Sequence, residues 1–195
     1  MRNTLIGFIA GVALCAGLLA DASAQTRIRG TIERVSGDTI SVKSSAGHSD
    51  IHLTDKTTIT FAQPIALSEI KSGDFLGVTS VMRRGSLVAY DVRRFPKPVN
   101  PGHRPFDGGK DQTMTNAAVE ATVGSANGHE LTLTYEGGSQ KVVVSDTASV
   151  TALVPGQRSQ LTAGSYVNLL AEEAGGKLTA RSIEVRKDAP KLPPG

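Results

Sequence analysis

Ile28-Arg-Gly-Thr-Ile-Glu33 and Val119-Glu-Ala-Thr-Val-Gly124 are two short stretches that share one pattern of alternating apolar and polar residues. They lie 91 residues apart, and the similarity continues downstream at the same offset without a gap. The further matches join residues of the same kind: Gly37 with Gly128, Asp55 with Asp146, Pro64 with Pro155, Gly73 with Gly164, Phe75 with Tyr166, Gly85 with Gly176, and Leu87 with Leu178. A chain with such an internal repeat is predicted to fold as two copies of one structural unit.

Each copy alternates apolar and polar residues in the way that half-buried β-strands do. Three such strands are expected at the start of the first copy, with these positions facing inward: Ile28, Gly30, Ile32, Ile40, Val42, Ile51 and Leu53. Residues 67–73 instead have helical spacing and end on a glycine, which predicts one or two helical turns. Two more strands, at about residues 74–82 and 86–95, complete the copy.

Three strands, a short helix and two more strands is the order of elements in an oligonucleotide/oligosaccharide-binding (OB) barrel, a five-stranded Greek key. We therefore predict an all-β protein of two tandem five-stranded OB-like barrels, residues 25–95 and 118–187, each with a short helical turn. Another small barrel or a sandwich stays open, because strand pairing is not visible in a sequence. Residues 96–117 form a Pro/Gly-rich linker without regular structure, and residues 188–195 are expected to be a disordered tail.

The motifs of these copies resemble those of the domain-of-unknown-function family 5666. The first copy carries them as Gly30-Thr31-Ile32 with the strand that follows to residue 42, as residues 67–76, and as residues 85–92. The second copy departs from the pattern, with Ala121 in place of the first glycine and Ser165 in place of an aspartate. The resemblance implies an exported bacterial β-barrel domain and no particular activity.

The first 24 residues have the pattern of a signal peptide. Arg2 supplies the positive charge, residues 5–20 carry no charge, and Ala22-Ser23-Ala24 matches a cleavage site. We expect cleavage near Ala24 and a periplasmic or secreted protein without Cys15, the one cysteine, and hence without a disulfide or cysteine metal site. The apolar run is shorter than the roughly 20 residues of a spanning helix, so no transmembrane segment is expected in the mature protein.

Motifs of known chemistry are missing from the sequence. There is no Gly-x-Ser-x-Gly, no His-Glu-x-x-His and no glycine-rich phosphate loop, so we predict neither an enzyme nor a cofactor. The net charge of +3 and the few aromatic residues argue against nucleic acid as a partner. His48 and His52 would lie at least ~13 Å apart on a strand, so no metal site is predicted there.

The linker is the best candidate for a functional site. Val99, Phe106 and Met114 predict that it docks against the barrels, because a flexible spacer would be polar throughout; a solvated spacer with one anchoring aromatic is the other interpretation. We predict a ligand site at the junction of the copies, formed by Arg93, Arg94, His103, Arg104, Phe106 and Asp107. The predicted function is that of an exported, non-catalytic binding or interaction module of the bacterial cell envelope, with an envelope protein, a glycan or a small ion as its partner. The alternative is a periplasmic metal-handling accessory protein that uses the linker histidine and carboxylates.

Overall fold

The computed structural model describes residues 24–125 and 128–193, and this part of the chain is all-β. The all-β class confirms the prediction from the alternating pattern, and the twelve strands of this part form one hydrogen-bonded sheet. The helical elements among the described residues are two 3-10 turns, Leu67–Glu69 and Arg158–Gln160, so the helical turn predicted at residues 67–73 is confirmed in shorter form. Apart from Ala24, the predicted signal peptide lies outside the described residues.

The strands follow one another in chain order. They are β1 (Ala24–Ser36), β2 (Thr39–Ser44), β3 (Gly47–His52), β4 (Thr58–Pro64), β5 (Phe75–Arg83), β6 (Ser86–Phe95), β7 (Gly102–Pro105), β8 (Gln112–Ser125), β9 (Gly128–Tyr135), β10 (Gly138–Pro155), β11 (Tyr166–Ala174) and β12 (Lys177–Arg186). No described helical element has the length and apolarity of a membrane-spanning helix.

Ten of the strands close into two rings of five, and each ring combines strands from both sequence copies. In the first ring β1, β2 and β3 pair in succession, β3 pairs with β12, and β11 connects β12 back to β1. The second ring contains β8, β9, the first part of β10, β6 and β5 in the same order. Each ring encloses its own hydrophobic core. The structure thus differs from the predicted division into residues 25–95 and 118–187, because the last two strands of each copy pair with the first three of the other.

The segments that carry the chain from one ring to the other are β4 and residues 149–155 of β10. These two segments pair antiparallel with Leu153 opposite Ala62, and these residues occupy the same position in the repeat, so a pseudo-twofold axis passes between them. In the first copy a turn at residues 55–56 separates β3 from β4. In the second copy Asp146, which the repeat matches with Asp55, lies instead within the continuous strand β10. Extended segments of this kind carry the following strands to a neighbouring unit, as in domain swapping.

β1 and β8, the first strands of the two copies, do not match at the sequence offset that relates the other strands of the repeat. The Ile32 N–H donates to the Ser165 carbonyl and the Val119 N–H to the Asp74 carbonyl, each at 2.8 Å. Ile32 pairs with Val42 and Val119 with Leu133, so the first hairpin of the second copy is four residues longer. The ungapped match of Ile28 with Val119 is therefore wrong. A shift by an even number of residues leaves the same face of a strand inward, which is why the sequence pattern did not reveal it.

The linker contains regular structure, contrary to the prediction. β7 pairs antiparallel with β8, and β8 itself begins at Gln112, inside the range assigned to the linker. Asn100 and Asp111, at the two ends of the segment that contains β7, adopt positive φ angles of 43° and 59°. Asparagine and aspartate tolerate this conformation better than other residues with a side chain, which favours turns at these positions.

Candidate binding groove

A groove of about 1140 Å³ lies on one face of the crossing strands, between the two rings. Successive residues of a strand face opposite sides, so Val92 on β6 and Ile183 and Val185 on β12 belong to the cores. Their neighbours face the groove and form its floor: Asp91, Arg93, Glu184 and Arg186. Arg27 and Arg29 of β1 and residues 104–108 of the linker also line it.

The floor is a buried network of two acidic and two basic side chains. Arg186 binds Asp91 in a bidentate manner, with Nη2 at 2.9 Å from Oδ1 and Nη1 at 3.2 Å from Oδ2. Arg186 Nη2 also donates to Ser149 Oγ at 2.7 Å. Arg93 Nη1 donates to Glu184 Oε2 at 3.0 Å, and Arg93 Nε lies 3.4 Å from Asp91 Oδ2. Buried charges are tolerated when each has such a partner, and two charges of each sign balance here.

Repeat symmetry places Arg93 and Glu184 at equivalent positions, 91 residues apart, so one position of the fold carries opposite charges in the two copies. Burial disfavours the Arg93 cation, but the charges of Glu184 and Asp91 and the Glu184 hydrogen bond outweigh this and raise the pKa of Arg93 above its ordinary value. Arg93 therefore stays charged at all physiological pH values.

Two tyrosines add neutral hydroxyl groups to the groove. Burial, with the nearby Asp91 charge, raises the pKa of Tyr90 to about 12, and the Tyr90 hydroxyl donates to Gln112 Oε1 at 2.6 Å. Burial also raises the pKa of Tyr166, which is half-buried. Both phenols are protonated at neutral pH, so each has a hydroxyl that can take part in hydrogen bonds.

The linker is held against β1 and β8 by specific contacts. Arg29 Nη2 donates to Asp107 Oδ1 at 2.8 Å, and the Arg29 guanidinium carbon lies 4.9 Å from the centroid of the Phe106 ring, a cation–π contact. Partial burial opposes ionisation of Asp107, but the hydrogen bond and charge of Arg29, with the charge of Arg27, outweigh it and hold the pKa of Asp107 below its ordinary value. At the other end of the linker, Asn116 Nδ2 donates to the Val99 carbonyl at 2.8 Å.

Four of the six predicted site residues line the groove: Arg93, Arg104, Phe106 and Asp107. The other two lie elsewhere. His103 Nδ1 is 2.8 Å from Thr115 Oγ1, and burial lowers the pKa of His103. Arg94 points away from Arg93, as strand alternation requires, and donates to the Glu69 carbonyl at 3.2 Å.

Sequence reasoning missed most of the groove floor and walls: Arg29, Tyr90, Asp91, Glu184 and Arg186. One signal was present for Glu184 alone. The repeat alignment places it on Arg93, and in the structure these opposite charges meet near the pseudo-twofold axis.

The C-terminal segment also reaches the groove. The sequence predicts a disordered tail from residue 188, and residues 188–193 indeed form no strand or helix. Part of this segment nevertheless contacts the rest of the fold, because Pro190 and the half-exposed Leu192 line the groove and Pro193 is buried. Residues 194–195 of the predicted tail lie outside the described part.

Histidine and carboxylate side chains show no metal-binding arrangement in residues 24–125 and 128–193, where no three of them, nor cysteines, are grouped to hold an ion. His48 and His52 both lie on β3, as predicted. His48 Nδ1 lies 2.7 Å from Glu33 Oε2 in an exposed pair on the first ring.

Comparisons of this chain with protein-family models, with curated proteins and with solved structures found no match.

The groove itself has an excess of positive charge, because six basic and three acidic side chains line it. Each of the three carboxylates accepts a hydrogen bond from an arginine. The remaining basic side chains are Arg27, Lys97 and Arg104, of which Arg27 bonds to Asn168 Oδ1 and Arg104 to the Asn100 carbonyl, both uncharged. The net positive charge favours an anionic ligand.

Proposed function

We propose that this chain is an exported, non-catalytic binding module of the bacterial cell envelope, built from two OB-like five-stranded barrels that exchange their last two strands. The closed rings of five strands support the OB-like interpretation, and the signal-peptide pattern and the resemblance to family 5666 support export. The central observation is the groove between the rings, because it combines a volume of about 1140 Å³ with a floor of buried, paired charges. Concave sites with a few fixed polar groups are where proteins bind ligands.

A binding role suits the carboxylates better than a catalytic one. Asp91, Glu184 and Asp107 are each held by an arginine, in geometries that fix the side chains in place. A general acid or base must instead exchange its proton near the working pH. The network therefore supports a rigid, charged surface rather than proton transfer.

An acidic oligosaccharide is the ligand class that best fits the groove. Its carboxylates would bind to Arg27, Lys97 and Arg104, and the Phe106 ring, which contacts Arg29, also lines the groove. The volume exceeds the range of about 300–1,000 Å³ for small-molecule sites, which suits a chain of several sugar rings.

Isothermal titration calorimetry with a tetragalacturonate and with a neutral tetrasaccharide tests this proposal. We expect binding of the acidic sugar alone, and a loss of about tenfold or more in affinity for the Lys97→Gln/Arg104→Gln variant. The matched control is Arg84→Gln/Lys141→Gln, which removes the same charge outside the groove. Equal binding of the neutral sugar, no binding of the acidic one, or unchanged affinity in the groove variant would contradict the proposal.

The metal-handling alternative stays a prediction, and a thermal-shift panel with copper, zinc, nickel and calcium separates it from the binding module. A shift with one metal that disappears in His103→Ala would favour the alternative. No shift with any of the four metals would exclude it.

A further inference from the structure

The pseudo-twofold symmetry is broken at one strand edge. On β8, residues 112–118 pair with β5 on one side, while residues 113–116 pair with β7 on the other. The equivalent segment of β1, placed by the match of Ile32 with Val119, is residues 25–29. It pairs with β11 on one side, but β2 begins its pairing only at Gly30, and no other described strand covers residues 25–29.

The backbone groups on this side of β1 can be identified from the alternation of an antiparallel strand, in which the N–H and C=O of successive residues point to opposite sides. The Ile32 N–H points to the β11 side, where it donates to the Ser165 carbonyl. Ile28 and Gly30 share that direction, so the amides of Arg27 and Arg29 point to the uncovered side.

On β8, the corresponding edge is covered by β7. The Gln112 carbonyl accepts a hydrogen bond from the Phe106 N–H at 2.9 Å. Met114 and Asn116, the counterparts of Arg27 and Arg29, lie opposite Arg104 and Gly102 of β7. A strand on the edge of β1 would therefore complete the symmetry of the molecule.

We propose that residues 25–29 of β1 bind an extended acidic segment of a partner protein by β-strand addition, in the position that β7 fills on β8. Peptide recognition at exposed sheet edges combines main-chain hydrogen bonds with pockets for alternate side chains. Partner residues opposite Arg27 and Arg29 would share their face, and opposite charges across a strand pair attract, so these two positions should be acidic. A cavity of about 300 Å³ lies beside the edge and leaves room for the residue between the two acidic ones; Ile28 and Leu178 line it together with polar residues such as Ser44 and Glu173.

Two other occupants fit this edge less well. A second copy of β1, paired antiparallel, would bring Arg27 opposite or diagonal to Arg29, and like charges in such pairs repel. The chain's own C-terminal segment runs from β12 as the linker runs from β6, but it has proline at positions 193 and 194, where β7 has Gly102 and His103. Proline cannot donate the backbone hydrogen bonds that a strand needs.

This edge adjoins the groove, because the side chains of Arg27 and Arg29 also line it. The inference rests on the uncovered main chain of β1 and not on the proposed sugar ligand, and amide protection reports on that main chain directly. The test is amide hydrogen exchange, measured by NMR on the purified protein with a synthetic capped heptapeptide that alternates glutamate with valine. In the free protein at low concentration, the Arg27 and Arg29 amides should exchange much faster than those of Ile28 and Gly30. Saturating peptide should slow them by at least about tenfold and leave Met114 and Asn116 unchanged. A peptide with lysine in place of glutamate should have no effect.

Charge-reversal variants complete the design. Arg27→Glu should weaken binding of the acidic peptide by about tenfold or more. Arg34→Glu makes the same charge change on the part of β1 that β2 covers, and its affinity should match that of the unmodified protein. Protection of the Arg27 and Arg29 amides without peptide would overturn the proposal. If it occurred in dilute protein, the edge would already be covered within the chain. If it appeared only in concentrated protein, the occupant would be a second copy of the chain. Equal binding in the two variants, or no protection by the acidic peptide, would also overturn it.

Discussion

Replacing Arg186 by methionine tests the buried charge network most directly. Arg186 is 4% exposed, and its guanidinium donates two hydrogen bonds to the Asp91 carboxylate, at 2.9 and 3.2 Å. Without it, Asp91 keeps only the more distant Arg93 Nε at 3.4 Å, and Ser149 Oγ loses its donor. Removing one partner of a buried ion pair costs about 3–5 kcal/mol, because the other charge stays buried without compensation. We expect Arg186→Met to lower the free energy of unfolding by this amount.

The matched control lies on the same strand. Arg181 donates to Glu172 at 2.7 Å, a shorter bond than either bond to Asp91, but its side chain is 60% exposed. Water and salt screen such a pair, so Arg181→Met should cost no more than about 1 kcal/mol. The contrast between the two variants therefore measures burial rather than bond length.

Urea denaturation followed by circular dichroism at neutral pH gives both values, with an unchanged dependence on urea as the sign that only stability has changed. A double variant, Arg186→Met with Asp91→Leu, removes both charges and should recover much of the lost stability, because an apolar pair often replaces a buried ion pair without loss. The reasoning would be refuted if Arg186→Met cost no more than Arg181→Met, or if the double variant were less stable than the single one.

Two further predictions concern packing and pH. Gly30→Ala should lower the free energy of unfolding, measured by urea denaturation, by about 1–3 kcal/mol, because a Cβ atom at this position would meet the Lys43 carbonyl across the strand pair. A change under about 0.5 kcal/mol would show instead that β1 and β2 can separate freely. Ala117 occupies the equivalent position in the second ring, and Ala117→Gly serves as the reverse exchange. Burial lowers the pKa of His103, so the folded state disfavours the proton: its contribution to stability is complete above the ordinary pKa of about 6.5 and is lost as the pH falls below it. The protection factors of the β7 amides, which correct for the intrinsic slowing of amide exchange at lower pH, should therefore fall modestly from about pH 7.5 to about 5.5. A His103→Asn variant, which can still bond to Thr115, should not show this fall, and an equal fall in both proteins would contradict the prediction.

The all-β class was predictable because the period of two between inward-facing residues is a local property. Ile40, Val42, Ile51 and their repeat counterparts face the cores as the alternation predicts. The choice between pairing within a copy and pairing across copies was not predictable, because both arrangements bury the same residues against the same neighbours. Only the path of β4 and β10 differs between them.

The register of the first strand was hidden for a related reason. Ile28 and Ile32 both face the first core, so either could align with Val119 on hydrophobicity alone. Hydrogen bonds to Ser165 and Asp74 distinguish the two, and these bonds exist only once the strands of different copies have met.

The residues of the candidate site were likewise predictable only in part. The sequence indicated the linker, because apolar residues among prolines and glycines predict docking, and Arg104, Phe106 and Asp107 line the groove. It placed His103 and Arg94 there as well, since proximity in sequence does not say which way a strand residue points. Their ligand-binding role stays a prediction for the calorimetric test.

By itself, the sequence determined the strands within the two copies, the repeat and the segments in which the copies differ, since composition and alternation act within a few residues of the chain. Only the tertiary structure decided that Arg93 meets Glu184, that Arg186 meets Asp91 and that one edge of β1 lacks a described partner strand. These contacts join residues that are more than ninety positions apart or depend on what covers a strand edge. The physical reason is that exchange of strands brings equivalent positions of the two copies to one axis, where complementary charges can be buried together.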